Sequence, residues 1–375
     1  MKPLVCFITV HSPYDVNAWS GINNAIFQQM KMQFDIFPIY GLGFKHTLFL
    51  KIAYRLSRFL GKQFFYELSY PVSKQMGKEL TQKIPENCQA IFTLSSHIIP
   101  YLKTDIPIFL YRDSTFRLLY DYYEFVSDLT FWDKLISNHL EKKAFKKCTR
   151  IFMASEWAAE SVRKDYRCRN VSVVPFGANL PNIPTTEECQ AIISSRSAQT
   201  IILIFVGKDF VRKGGGMAQN VTSTLNKRGI PTELHVFGDV PSHLKRSEVF
   251  IHYYGFTDKS NSNELNTMLD TYRKAHILLL PTQAECFGIV FSEAAAFGIP
   301  SVAFATGGVP TAIKNGDNGF CLPANAKEAS FIDAILELWH NYPTNAQNAR
   351  RRYEQELNWG SSIQLIASEM QLTQM

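Results

Sequence analysis

Glu285 and Glu293 stand eight positions apart in Glu285-Cys286-Phe287-Gly288-Ile289-Val290-Phe291-Ser292-Glu293, a spacing that gives two carboxylates separate tasks. The apolar run Ile277 to Leu280 reads as a buried strand and Pro281 to Glu285 as its exit loop. Ile289 to Phe297 reads as a helix closed by Gly298 and Pro300. A phosphate could meet the N–H groups of the helix start near Gly288 and Ile289, where aligned peptide dipoles favour negative charge. The carboxylates only accept hydrogen bonds and would repel that phosphate. Each can instead grip a pair of hydroxyls, one on a transferred sugar and one on a ribose. A strand, loop and helix with merely solvated glutamates accounts for an isolated pair equally well, so the reading needs a second block.

That block is Phe205-Val206-Gly207-Lys208-Asp209-Phe210-Val211-Arg212-Lys213-Gly214-Gly215. Ile201 to Val206 has the continuous apolar character of a strand covered on both faces, and Gly207 is expected to end it. Lys208, Arg212 and Lys213 offer donors to a diphosphate, and the glycines let the backbone come close. An ordinary solvated basic turn is the competing reading. The dinucleotide spacing Gly-x-Gly-x-x-Gly is absent after every expected strand.

With both blocks in place the chain resembles the retaining glycosyltransferases of family 4. The resemblance covers nearly the whole length and is densest from Val171 to Pro323. Further matching pieces are Val174-Pro175-Phe176-Gly177-Ala178-Asn179, His235-Val236-Phe237-Gly238, Tyr254-Gly255-Phe256-Thr257-Asp258 and Thr306-Gly307-Gly308-Val309-Pro310. The fold this implies is α/β of the GT-B type, two doubly wound Rossmann-like domains facing a central cleft. The resemblance also implies that Glu285 contacts the donor sugar and Glu293 the ribose. Lys208, Lys213, Arg212 and Gly207 would form the diphosphate loop, with the backbone of Phe287, Gly288, Ile289 and Val290 closing around it. Glu285, Lys213 and Asp113 are the expected catalytic residues.

Asp113, in Arg112-Asp113-Ser114-Thr115-Phe116, is a departure, because many family members carry a histidine there. A subgroup that resembles this chain has the aspartate together with Trp19-Ser20-Gly21 and Ser155-Glu156-Trp157-Ala158-Ala159. His11, Asp15, Trp19 and Gly21 are acceptor-side candidates; capping of the next helix is an equal reading for His11 and Asp15.

The activity these features imply is retaining, metal-independent hexosyl transfer from a UDP- or GDP-sugar to a glycan, glycolipid or other hydroxyl acceptor. No cofactor is expected beyond the nucleotide-sugar co-substrate. Two other readings stay open: an epimerase or phosphorylase of the same fold, and a non-catalytic GT-B subunit that binds a partner transferase or a glycan.

Composition agrees with a globular enzyme. The chain has 375 residues, 46% hydrophobic and 19% charged, enough for two cores of ordinary domain size. No stretch approaches the ~20 apolar residues of a membrane span. Leu4 to Val10 reads as a first strand and not as a signal peptide, since no small-residue cleavage site follows. Seven scattered cysteines without a Cys-x-x-Cys pair fit reduced thiols in a cytoplasmic chain and suggest no metal cluster. His243 and His252 read as isolated surface or packing histidines.

The elements that must position these residues alternate strand and helix. Leu4 to Val10, Phe34 to Tyr40, Ala90 to Leu94, Ile106 to Tyr111, Arg150 to Ala154 and Val171 to Pro175 are expected strands of an acceptor-side domain, 1–180. A polar, proline-bearing linker is expected at 181–200. The nucleotide-sugar domain, 201–350, would use Ile201 to Val206, Thr232 to Phe237, Phe250 to Tyr254, His276 to Leu280 and Ser301 to Phe304. A helical segment, 351–375, would cross back to the first domain.

One segment concentrates the net charge of +6. Between Leu48 and Lys62, Lys51, Arg55, Arg58 and Lys62 fall on one helical face, while Leu48, Phe49, Ile52, Ala53, Leu56, Phe59 and Leu60 cover the other. Such a helix either lies in the headgroup plane of an anionic membrane, giving peripheral contact at the inner face, or docks its apolar side on the first domain. No basic patch accompanies a nucleic-acid-binding motif, so nucleic acid is not an expected partner.

Overall fold

A computed structural model of the chain describes residues 2–44, 48–120 and 122–372. The chain divides into two units. One runs to Val174 and resumes at Ile363; the other is Pro175–Ser362.

In the first unit β1 (Leu4–Ile8), β2 (Asp35–Ile39), β3 (Ala90–Thr93), β4 (Ile108–Arg112), β5 (Arg150–Met153) and β6 (Val171–Val173) form one parallel sheet, ordered β2-β1-β3-β4-β5-β6. Cys6, Phe7 and Ile8 are fully buried, as a strand covered by helices on both faces requires. Side-chain caps start the crossover helices: Ser155 Oγ accepts from Ala158 N at 3.2 Å, and Thr130 Oγ1 from Asp133 N at 3.1 Å. After Ile363 the chain is tied to this sheet by Glu369, which takes a hydrogen bond from Ser172 Oγ at 2.7 Å and pairs with Arg150 Nε at 2.6 Å.

The basic helix forms over Leu48–Phe59 and does not dock its apolar side. Leu50 and Ser57 face the protein and are buried, while Leu48, Ile52, Leu56 and Phe59 are 74%, 55%, 58% and 86% exposed. The side chain of Phe49 lies outside the described residues. At about 100° per residue, Leu50 and Ser57 share a side that neither stripe occupies, so both stripes stay in solvent.

In the second unit β7 (Ile201–Asp209), β8 (Thr232–Asp239), β9 (Ile251–Gly255), β10 (Ile277–Leu280), β11 (Ser301–Phe304) and β12 (Gly319–Leu322) make a second parallel sheet, ordered β12-β11-β10-β7-β8-β9. This is the doubly wound order with its reversal between β7 and β10, the place where such sheets bind ligands beyond their strand ends. β7 does not stop at Gly207. It runs on through Lys208 to Asp209 with a register shift against β8, because Asp209 still pairs with Asp239.

The polar stretch before β7 contains a helix, Thr186–Ser195, started by a capping box of Thr185 and Glu188. Arg196 follows it and donates to the carbonyls of Tyr272, Arg273, Phe297 and Gly298 at 3.1, 3.0, 2.7 and 3.1 Å. Those carbonyls sit at or just past the C-terminal ends of the helices Ser262–Lys274 and Ile289–Ala296, where a cation satisfies orphan acceptors and complements the dipole.

Candidate functional site

The two sequence blocks meet at the reversal point of the second sheet. The turn after β7 carries Arg212 and Lys213; the turn after β10 carries Ala284 to Phe287. Gly214 allows the first turn to lie against the second. Its φ is +82°, and a Cβ there would stand 2.0 Å from the Pro281 carbonyl oxygen. Arg212 then donates from Nη1 to Ala284 O at 2.7 Å, and Gln283 N donates to Arg212 O at 3.0 Å. Asp209 steadies the same guanidinium at 3.2 Å.

Lys213 Nζ pairs directly with the Glu285 carboxylate, and both side chains are largely buried. The helix Ile289–Ala296 begins immediately beyond, with Gly288 as its N-cap at φ 85°. A side chain at Gly288 would collide with the Phe291 ring at 2.5 Å, so glycine lets the chain turn from Glu285 straight into the helix. Phe287 packs edge-on to Phe176 with ring centroids 5.5 Å apart and is buried, so its backbone and not its ring borders the helix start. The first N–H groups of this helix, at Ile289 and Val290, have no carbonyl one turn back. Lysine, carboxylate and helix start therefore share one small region.

Glu293, one turn further on, is 2% exposed. Its Oε1 accepts from Lys259 Nζ at 2.7 Å and its Oε2 from Tyr272 Oη at 3.4 Å. Burial, reinforced by the Glu293 charge, holds the Tyr272 phenol well above its ordinary range and keeps it a donor. Lys259 also donates to Asn179 O at 3.0 Å. Neither Lys259 nor Tyr272 was among the expected site residues. The signal for Lys259 was its position directly after Tyr254-Gly255-Phe256-Thr257-Asp258. Lys208 is exposed and lies over the Phe256 ring at 5.4 Å.

The remaining expected residues belong to the first unit. Trp19, Ser20 and Gly21 adopt left-handed backbone in succession, with φ of 49°, 56° and 81°, just before the helix Ile22–Gln33. Asp15 caps that turn, accepting from Asn17 N at 2.9 Å and Ala18 N at 3.3 Å. Asp113 follows β4 and accepts from Ser114 Oγ at 3.1 Å.

A cavity of about 160 Å³ in the first unit is lined by Phe65, Leu68 and Phe116 and by His97, Arg112 and Glu141. Burial, then the charges of Arg112 and His11, push His97 down to about 4, so its imidazole is neutral at physiological pH. Glu141 accepts from Ser96 Oγ at 2.9 Å, Phe116 N at 2.6 Å and Tyr166 Oη at 2.6 Å. His97 escaped the sequence reading because a lone histidine after a short strand carries no pattern.

His252 is not isolated. It sits beside His235 and Glu233 on the outer strands of the second sheet, where the three side chains offer donor atoms within 4.8 Å of one another. Cross-strand register brings them together, and spacing along the chain does not reveal it.

Residues 190–356 match the family described as Glycosyl transferases group 1. The D-inositol 3-phosphate glycosyltransferase of Mycolicibacterium smegmatis is 30% identical over 102 residues, 27% of this chain and 23% of that protein. The chain thus spans about a quarter of the length of this curated relative. Likeness among solved structures runs end to end. Sucrose-phosphate synthase from Thermosynechococcus elongatus superposes with a TM-score of 0.68 at 15% identity, covering 99% of both chains. Anabaena HepE, solved with UDP and glucose, gives 0.63 at 12% identity over 98% of this chain and 99% of that one. The chain accordingly has the GT-B fold, built on two parallel Rossmann-like sheets, and over residues 190–356 it matches glycosyl transferases group 1.

Proposed function

We propose that this chain is a retaining, metal-independent glycosyltransferase that moves a hexose from a nucleotide-diphosphate sugar to a glycan, glycolipid or other hydroxyl acceptor. The observation that carries the reading is the Lys213–Glu285 pair at the sheet reversal, beside the Gly288 helix start. In this reading the donor diphosphate occupies the helix start and takes Lys213, and Lys208 and Arg212 add to the field. Glu285 is released to the hydroxyls of the sugar, and Glu293, with Lys259, holds the ribose. The bond from the anomeric carbon to the diphosphate breaks as the acceptor oxygen bonds on the same face, and the acceptor proton passes to the departing phosphate oxygen. Negative charge grows on the phosphate in this step, so fixed cations and oriented N–H groups stabilise the transition state. The first unit is the acceptor side, with Asp113 orienting sugar or acceptor and with His11, Asp15, Trp19 and Gly21 as further acceptor-side residues.

The experiment is calorimetric titration with UDP, GDP and ADP, followed by turnover of their sugars with and without EDTA and NMR of the product's anomeric configuration. UDP is the first choice because HepE was solved with it. Nucleotide binding without donor hydrolysis or transfer would favour the non-catalytic subunit. An inverted product or loss of turnover in EDTA would overturn the mechanism.

Peripheral contact with an anionic bilayer belongs to the same proposal. No helix among the described residues is long and apolar enough to cross a membrane. The exposed stripe Leu48, Ile52, Leu56 and Phe59 runs beside exposed Lys51, Arg55 and Arg58, so apolar side chains can enter the headgroup layer while the cations meet lipid charge. A second apolar group stands next to its end. Gln63 N donates to Asp128 O at 2.9 Å and Gln63 bridges to Leu129, just before Phe131 and Trp132, which are 72% and 67% exposed. Tryptophan at such a position suits the membrane interface.

A further inference from the structure

On the outer strands of the second sheet, β8 and β9 run parallel with His235 directly beside His252. Glu233 lies two residues before His235 and so shares its face, while Leu234 and Val236 turn the other way and are fully buried. Glu233 Oε2 is 3.2 Å from His235 Nε2 and 3.5 Å from His252 Nε2. Three ligands placed ~2.0–2.2 Å from one tetrahedral ion stand ~3.3–3.6 Å from each other, so two edges of such a polyhedron are already in place. The rings of His235 and His252 are 4.7 Å apart, close enough for small rotations to complete the third edge.

The outer contacts also suit an ion. His235 Nδ1 lies 2.8 Å from Tyr254 Oη, a hydrogen bond that fixes the ring and leaves Nε2 facing Glu233. The side chains of His252 and Glu233 are 39% and 42% exposed, which gives an ion an entry path and room for water.

We propose that Glu233, His235 and His252 bind one divalent transition cation of the Zn²⁺ type, with water completing the shell, and that the ion clips edge strand β9 to β8. Two imidazoles and a carboxylate suit Zn²⁺ and its first-row neighbours better than Mg²⁺ or Ca²⁺. The site is separate from the donor chemistry. His235 and Glu233 precede Gly238 by three and five residues, or roughly 10–17 Å along the strand, while the phosphate-binding turns lie past its end. A metal here stabilises the sheet edge without entering the transfer reaction, so the proposal goes beyond the glycosyltransferase reading and does not depend on it.

The test uses untagged full-length protein freed of metal by chelator. Zn²⁺ titration by calorimetry should give one site, Co²⁺ should produce the visible absorption of a tetrahedral complex, and Zn²⁺ should raise the Tm. His252→Ala and Glu233→Gln should each weaken uptake at least ~10-fold and abolish the Tm rise, and Tyr254→Phe should weaken it by a smaller factor. Circular dichroism confirms that each variant is folded. Absence of uptake by the parent at micromolar Zn²⁺, or uptake unchanged in both His252→Ala and Glu233→Gln, would overturn the site and leave a plain hydrogen-bonded ladder.

Discussion

Lys213 and Glu285, 72 residues apart in sequence, form a direct ion pair across the reversal point of the second sheet. Each depends on the other, since a buried carboxylate without a cation costs several kcal/mol. Lys213→Met should therefore lower the Tm as well as nucleotide affinity. The affinity loss should be about 1.5–3 kcal/mol, roughly 10- to 150-fold, for one charged hydrogen bond to phosphate. Pairing it with Glu285→Gln should restore most of the Tm but none of the affinity. Calorimetry and thermal melts on the three proteins separate the effects, and unchanged nucleotide affinity in Lys213→Met would remove the diphosphate assignment. Glu285→Gln alone should depress kcat more than it raises the donor KM, because the sugar contact tightens at the transition state.

Glu293 should respond in the opposite way. Its carboxylate is fixed by Lys259 and Tyr272 in the resting protein, so Glu293→Gln and Lys259→Met should both raise the donor KM with a smaller change in kcat. Lys259→Met also leaves a buried carboxylate short of its charged donor, at a cost of about 1–3 kcal/mol in stability. Steady-state kinetics read the first effect and urea unfolding the second. Parent kinetics in both variants would take Glu293 out of the donor site.

Strands, their order of appearance and the two site turns were legible because a parallel sheet writes itself as uninterrupted apolar runs, as in Ile277 to Leu280. Three kinds of feature were not. β12 is four residues long and mostly half-buried at the sheet edge, too short and too mixed to show a period. The continuation of β7 to Asp209 depends on its partner Asp239 and cannot be read from Gly207. The His235–His252 contact and the Lys259–Glu293 pair are fixed by register and loop path, which a linear spacing does not encode. The helix Leu48–Phe59 shows the converse, since its amphipathic pattern was plain but which side faces the protein was not.

His276 supplies a pH dependence. It is fully buried, and its Nδ1 accepts from Ile202 N at 3.0 Å, which only the neutral ring can do. Burial, then the charge of Arg196, pushes it down to about 4. An unfolded histidine titrates near ~6.5, so below that pH the unfolded chain binds a proton the folded one refuses. The contribution is present above about pH 6.5 and is lost as pH falls toward 4, where the folded ring also protonates. Urea unfolding at pH 7, 5.5 and 4.5 should show falling stability, with a slope about one proton shallower in His276→Gln, which keeps a hydrogen-bond acceptor. Equal slopes would mean that His276 takes up its proton in the fold as readily as in the unfolded chain, and the lowered value would be wrong.

The exposed basic helix makes the last prediction. If Lys51, Arg55 and Arg58 meet lipid charge, the protein should sediment with vesicles containing phosphatidylglycerol or cardiolipin at low salt. It should be released as the Debye length shrinks from ~10 Å at 0.1 M to ~3 Å at 1 M. Charge reversal at the three cations should abolish binding. Phe59→Ser and Trp132→Ser should weaken it even at low salt, because they remove apolar burial and leave the charge intact. Turnover on a soluble acceptor should survive all of these changes, since the proposed donor residues lie in the other unit. The stripe could instead be the contact between two copies of this chain, and light scattering would then show a dimer that Phe59→Ser dissociates. That outcome, or salt-insensitive absence of vesicle binding by the parent, would sink the membrane reading while leaving the donor site untouched.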